Sequence, residues 1–162
     1  MEQNASSTRP FNGRRACTPA RVSNMDNLTR AQRSETMRRV RGKDTQPEIA
    51  VRRLIHRQGF RFRLHSRELP GNPDLVFPSR GKVIFVHGCF WHGHGCRAGL
   101  NRPGSNVDYW LPKLDRNKKR DRVNRSRLRR LGWDVLVVWE CQLKSPGALL
   151  ERISRFLRGS NV

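Results

Sequence analysis

Acidic residues are scarce: 13 Asp and Glu stand against 34 Lys and Arg in 162 residues, a net charge of +21. Solubility does not require an excess of that size, since a magnitude of roughly 2–8 suffices for a small domain. A domain this basic repels itself until something acidic neutralises it, and nucleic acid is the usual counterpart. Long hydrophobic runs are missing too. No stretch approaches the ~20 apolar residues that cross a bilayer. The first residues show no acylation motif and no apolar signal-peptide core. These absences argue against a membrane partner and lead to the expectation of a cytoplasmic protein in contact with DNA or RNA. Cysteine is sparse as well, at four residues. In a reducing compartment, cysteines clustered with histidines favour metal binding over disulfides. Cys17 stands alone in a polar segment and has no assigned role.

The length suits one domain with a core of its own. Residues 1–25, rich in Arg, Ser, Asn and Pro, lack the apolar groups to offset ordering and read as a disordered basic arm. A single domain is expected over 26–162. A short, mostly exposed helix is expected over 27–42, where Leu28, Ala31, Met37 and Val40 lie among many charges. Thr45-Gln-Pro-Glu48 has the pattern of a helix start, with Pro47 in the first turn and Glu48 placed for a capping box. That helix should run to about Gln58 and bury Ile49, Val51, Leu54 and Ile55, with Gly59 as its stop. Alternation of Phe60, Phe62 and Leu64 with arginines predicts a half-buried strand. Asp74–Phe77 and Lys82–Val86 predict two more strands, the latter buried on both faces. Residues 87–107 form a long loop of Gly, His and Cys, and loops of this length in compact domains are usually functional. A basic helix from about Tyr109 to Arg130, a strand over Trp133–Trp139 and a last helix burying Leu149, Leu150, Ile153 and Phe156 complete an α/β core with a mixed sheet of about four strands. Trp133 and Trp139 read as core residues, and His56 and His65 as surface groups.

Two constellations carry chemistry. Cys89, His94 and Cys96 lie close together in the loop, and Cys141 follows the fourth strand. If that strand ends beside the loop, the four side chains make a tetrahedral Cys3His site for Zn2+, closed and therefore structural. Free buried thiols are the alternative. The second constellation is Pro73-Asp74 at a strand start, about twelve residues before the third strand ends at Val86-His87. A strand-end carboxylate can anchor Mg2+ with help from a backbone carbonyl and a phosphate. Alone, Pro-Asp marks a turn more often than a nuclease, and His87 stands where the Pro-Asp…(Asp/Glu)-x-Lys pattern has Lys.

The strings LPGNPDLVF, VIFVHGCFWHGHGC, DYWLPKL and LGWDVLVVWEC, in unbroken order over roughly 27–158, resemble the very-short-patch repair (Vsr) mismatch endonucleases. The resemblance implies a restriction-endonuclease-like fold of the PD-(D/E)xK type and a Mg2+-dependent nick 5′ of the thymine in a T:G mismatch left by deaminated 5-methylcytosine. It also implies a bacterial monomer acting on double-stranded DNA, with general mismatch-repair proteins as further partners. Asp74 matches the metal-binding aspartate, and the carbonyl of Val86 the backbone ligand, although the family usually has Thr at that position. His92 matches the histidine that activates water, Asp121 the carboxylate that orients it, His87 a second histidine, and Glu48 a helix glutamate near the metal. Cys89, His94, Cys96 and Cys141 match the zinc ligands. Phe90, Trp91 and Trp110 match aromatics that intercalate from the major groove, and Met37 a residue that enters from the minor groove. Simpler roles stand beside these: Glu48 as a capping residue, Asp121 as a partner of Arg120 or Arg122, and Met37 as core. A zinc-stabilised DNA-binding module, or a restriction-type nuclease with another target, is the competing reading of the whole.

Overall fold

The computed structural model describes residues 28–39, 42–101 and 104–159. The basic arm expected over 1–25 lies outside them, as do Cys17 and Val40.

Helix α1 (Arg30–Arg39) has no apolar stripe of its own. It starts at a reciprocal box in which Thr29 N–H donates to Gln32 Oε1 at 2.9 Å and Gln32 N–H to Thr29 Oγ1 at 3.2 Å. Arg33 docks it, donating to the Leu28 carbonyl and lying 5.3 Å from the centre of the Tyr109 ring. Helix α2 (Gln46–Arg57) begins after Thr45 and buries Glu48, Val51 and Ile55, with Ile49 and Leu54 half-buried.

Strands β1 (Arg63–Leu64), β2 (Leu75–Phe77), β3 (Lys82–His87) and β4 (Asp134–Trp139) form one four-stranded sheet in that order. β1–β2 and β2–β3 are antiparallel and β3–β4 is parallel, from Lys82↔Asp134 to His87↔Trp139. The parallel step is made by α4 (Val107–Arg130), the crossover helix such a pairing needs. A four-residue helix α3 (Arg97–Leu100) interrupts the long loop ahead of it.

Side-chain alternation sorts the sheet into two faces. Leu75, Phe77, Ile84, Val86 and Val138 meet Val51 and Ile55 of α2 and Leu149, Ile153 and Leu157 of helix α5 (Pro146–Arg158). Val76, Val83 and Phe85 point the other way, onto Leu128 of α4, with Trp133 packed alongside. The result is a mixed sheet between α2/α5 and α4.

Four expectations need correction. Leu64, expected to face inward, is 44% exposed: β1 is an edge strand of two residues, and the chain turns at His65, which has a left-handed φ of 48°. Trp133 and Trp139, expected in the core, are half-buried, as is all of β4 except Val138, because this strand forms the opposite edge. In α5 it is Leu157 that is buried, while Leu150 and Phe156 are half-buried. His65 is half-buried and paired, as described below. The sequence pattern also hid the burial of Lys82. Its Nζ donates to the Phe156 carbonyl at 2.8 Å and the Gly159 carbonyl at 2.5 Å, and Arg80 donates to the Leu157 carbonyl at 3.0 Å. Two cations from the β2–β3 turn thus satisfy the carbonyls that the end of α5 leaves open.

Candidate active site and cysteine–histidine cluster

The β2–β3 ladder stops at Leu75↔Ile84. Beyond it, Val86 N–H is taken by the Asp74 carboxylate, Oδ2 accepting at 2.7 Å. Asp74 is therefore held at a strand head by the backbone of the neighbouring strand. Burial pushes its carboxyl up from 3.8 to about 6, against the lowering effect of that hydrogen bond, and the nearby Glu48 charge raises it further.

Glu48 is buried and fully engaged. Oε1 accepts from the Thr45 hydroxyl at 2.7 Å, and Oε2 accepts from Asp44 N–H at 3.0 Å and Arg52 Nη2 at 2.8 Å. The capping role expected of Glu48 is present, shifted one residue back along the backbone. Glu48 also faces Asp74 across a shared cavity, so the two readings are compatible. Arg52 joins Asp44 at 2.5 Å and lies 3.0 Å from His65 Nε2, which is itself 3.3 Å from Asp44 Oδ1. Arg52 and His65 both act to lower the Asp74 carboxyl.

At this same end of β3, one residue past Val86, His87 is buried on the α4 side of the sheet. Its ring stacks on His92 at 3.7 Å between centroids and 13° between planes. His92 Nδ1 lies 2.5 Å from Asp121 Oδ2 on α4. Asp121 pairs with His92, not with Arg120 or Arg122 as the simpler reading held. Burial opposes its ionisation, but the His92 hydrogen bond and the positive charge of Arg120 outweigh this and hold its carboxyl below the usual range. Burial, with His92 close by, pushes His87 down to about 3, so it is neutral at any working pH.

Beyond the paired strand ends, Cys89 follows His87 and Cys141 follows Trp139, each by two residues. The parallel register therefore delivers both thiols to one place, with Cys141 N–H 3.4 Å from Cys89 Sγ. Cys141 Sγ lies 3.5 Å from His94 Nδ1. The ligand atoms of Cys89, His94, Cys96 and Cys141 all lie within 4.8 Å of one another, an arrangement consistent with a structural zinc. Burial pushes the Cys89 thiol up to about 12, while a hydrogen bond with His94 holds Cys96 down at about 6. Gly99 escaped sequence reasoning. A Cβ there would lie 2.1 Å from the His94 carbonyl and 2.8 Å from that of Cys89, so only glycine lets α3 close over the cluster.

Phe90, Trp91 and Trp110 form an aromatic group, with centroids 5.1 Å (Phe90–Trp91), 5.7 Å (Phe90–Trp110) and 6.0 Å (Trp91–Trp110) apart. Trp110 is buried, whereas Phe90 and Trp91 are half-exposed. The ammonium of Lys113 sits 5.2–5.7 Å from the rings of Tyr109, Trp110 and Trp91. Asn117 Nδ2 donates to the Trp91 carbonyl at 3.2 Å. Met37, half-buried, Glu48, Asp74, His87, Trp91 and His92 line one open cavity of about 560 Å³, with Lys113, Arg120 and Glu140 also in its wall. Among the described residues no helix is long and apolar enough to cross a membrane.

A helix-flanked mixed sheet that sets a carboxylate at a strand head, in the wall of an open, cation-rimmed cavity, is the architecture of the restriction-endonuclease-like DNA nucleases, and this chain is one of them. Residues 25–98 match the family model described as DNA mismatch endonuclease Vsr. The chain is 53% identical over 132 residues to the Type II nicking enzyme V.XorIIP of Xanthomonas oryzae pv. oryzae, covering 82% of this chain and 96% of that one. It is 42% identical over 138 residues to the DNA mismatch endonuclease Vsr of Escherichia coli, covering 82% and 88%. The catalytic domain of the homing endonuclease I-Bth0305I aligns with 70% of the chain and 94% of its own length, at 18% identity and a TM-score of 0.48. The chain belongs to the Vsr family of DNA endonucleases.

Proposed function

We propose that this protein is a Mg2+-dependent nicking endonuclease that cuts one strand of duplex DNA 5′ of the thymine in a T:G mismatch, the lesion left by deaminated 5-methylcytosine, and that a structural zinc closes the Cys3His cluster. The observation that carries this reading is the His92–Asp121 pair, whose histidine lines the same cavity as Asp74 and Glu48 while Asp121 holds it from behind. A phosphodiester nick needs a base, charge neutralisation at phosphorus and an in-line water, and these groups supply the base and the anionic anchor together.

The donor set fits a hard cation. Asp74 is an anionic oxygen donor whose ionisation is opposed by burial, and a cation in the cavity would relieve that. Asp74 and the Val86 carbonyl would hold Mg2+, with Glu48 close behind. When bound, Mg2+ supplies Lewis-acid neutralisation of charge at the phosphate. A carboxylate can only accept, so Asp121 fixes the proton of His92 on Nδ1 and leaves Nε2 to take a proton from water. His87, neutral and stacked on the ring, keeps a second positive charge away from it. Trp91, in the cavity wall, and half-exposed Phe90 beside it would enter the base stack, with buried Trp110 packed against both and Met37 on the cavity wall. Unstacking costs least where pairing is already imperfect.

The name of the Xanthomonas relative, a Type II nicking enzyme, favours one competing reading: the same nick at a different target. The test is incubation with a T:G duplex beside T:A and C:G duplexes, each with Mg2+ or EDTA. One strand should be cut, in the T:G duplex alone and with Mg2+ alone. Cleavage of both strands, or equal cutting of matched DNA, would overturn the mismatch assignment.

A further inference from the structure

Two successive residues join the cysteine–histidine cluster to the candidate active site: Glu140, which lines the cavity and accepts from Cys89 N–H at 3.3 Å, and Trp139, which touches a histidine of each. Trp139 ends β4 directly beside His87 in the parallel register, so the two side chains leave the same face of the sheet. One contact of its indole is with His94 of the cluster, stacked at 4.4 Å and 24°. The other is with His87, edge-on at 5.4 Å and 76°. His87 in turn stacks on His92, which is bonded to Asp121. Four rings in contact thus run from the cluster to the Asp121 carboxylate. Trp139 is half-buried and is a member of neither apolar cluster of the fold, in contrast to Trp133, which packs against the α4-side cluster.

We propose that Trp139 is a positioning residue: wedged between His94 and His87, it holds the His87–His92 ring stack in register with Asp121. This rests on the assignment of His92 to the reaction. In the loop from Gly88 to Cys96 the large apolar rings, Phe90 and Trp91, pack on each other and on Trp110, which leaves ring stacking as the packing open to His92 and His94. His92 is set at its base by the Asp121 bond and at its face by His87. Away from His92, the His87 ring meets Phe85 and Trp139 at 5.7 and 5.4 Å between ring centres, with Asn124 and Arg125 of α4 lining a small void beside it. If the indole is removed, His87 gains room to tilt and His92 to follow. A displacement near 1 Å at a reacting group is enough for a loss of about a hundredfold in rate.

The experiment compares Trp139→Leu and Trp139→Phe with the parent protein. Single-turnover nicking, DNA affinity, bound zinc, melting temperature and the ring NMR signals of His87 and His92 are measured. Trp139→Leu should slow nicking ten- to a hundredfold while DNA affinity stays within about threefold and zinc content and melting temperature stay at the parental values. Its His87 and His92 ring signals should shift, with those of exposed His56 unmoved. Trp139→Phe, which keeps an aromatic face, should recover most of the rate. A Leu variant with parental ring signals and rate would overturn the proposal. So would a loss of rate that tracks loss of zinc and of melting temperature, because Trp139 would then merely stabilise the fold. A parent that does not nick T:G duplexes would sink the functional reading alone, and the His92 ring signals would still decide whether Trp139 positions the stack.

Discussion

His92 on the loop after β3 and Asp121 on the crossover helix α4 meet at 2.5 Å, Nδ1 to Oδ2, across 29 residues of sequence. The carboxylate accepts and the imidazole donates, which leaves one defined tautomer. Asp121→Asn can present an amide N–H to the same nitrogen and invert that tautomer. Nicking by this variant should fall by about 10²–10⁴-fold, the usual range for a misassigned general base, with DNA affinity within a few-fold. Single-turnover rates beside equilibrium binding measure both. An Asn variant at the parental rate would remove Asp121 from the mechanism.

Asp74 links pH to stability. Its folded value of about 6 lies above the ordinary 3.8, so ionising it opposes folding. The stability it leaves intact is fully present below about pH 4 and is lost as pH rises through about 6. Without added magnesium, Asp74→Asn should therefore melt higher than the parent at pH 8, by up to about 3 kcal/mol, and level with it near pH 4. Nicking by the same variant should be abolished. Melting curves at the two pH values decide the first point; a variant less stable than the parent at pH 8 would contradict it.

Arg52 is the only ion-pair partner of buried Glu48 among the described residues. Arg52→Ala should cost roughly 3–5 kcal/mol, because it strands a buried charge. Adding Glu48→Gln to Arg52→Ala should recover part of that loss, a non-additivity that denaturant unfolding of the single and double variants would measure. Strict additivity would mean that the pair is energetically idle.

Cys141→Ser and Gly99→Ala should both lower bound zinc from about one per chain, the first by removing a donor and the second by driving a methyl group into the His94 carbonyl. Metal analysis of purified protein is the measurement. Parental zinc in Cys141→Ser would exclude that thiol from the cluster.

Trp91→Ala separates mismatch recognition from general DNA affinity. Aromatic–base stacking is worth roughly 1–3 kcal/mol per base, so the preference for T:G over T:A should drop about ten- to a hundredfold. Salt-sensitive affinity and zinc content should persist. Competition between the two duplexes reads this out. Undiminished discrimination would assign the wedge to Phe90 or Met37.

Much of this was legible in the sequence where the signal was local. Thr45, Pro47 and Glu48 announce the start of α2 within four residues, and the apolar run in Lys82–Val86 announces a central strand. The cysteine–histidine cluster was legible for a less local reason: three of its residues share one loop, and the fourth follows a strand that parallel pairing with β3 carries to the same edge. Contacts made across long separations were hidden. Arg52, His65 and Asp44 meet over 13 and 21 residues, through a left-handed turn at His65 and another at Asp44 that no turn motif signalled. Trp139 looked like core because a run of apolar residues does not reveal that its strand lies at a sheet edge. Lys82 looked like the flank of an apolar strand, since nothing nearby in sequence marks the end of α5 as its partner.

The parallel pairing of β4 with β3 ties completion of the proposed active site to completion of the fold. Asp74, His87 and His92 are all in place before α4 begins, yet their alignment depends on Asp121 within α4 and on the strand beyond it. Parallel pairings close late, because a long loop must be ordered before any contact rewards it. A chain still emerging, or a fragment ending inside α4, therefore carries Asp74, the proposed metal anchor, without Asp121 to align the proposed base His92. Competence to cut arrives together with the finished fold, which makes proper folding a safeguard for the genome the enzyme serves.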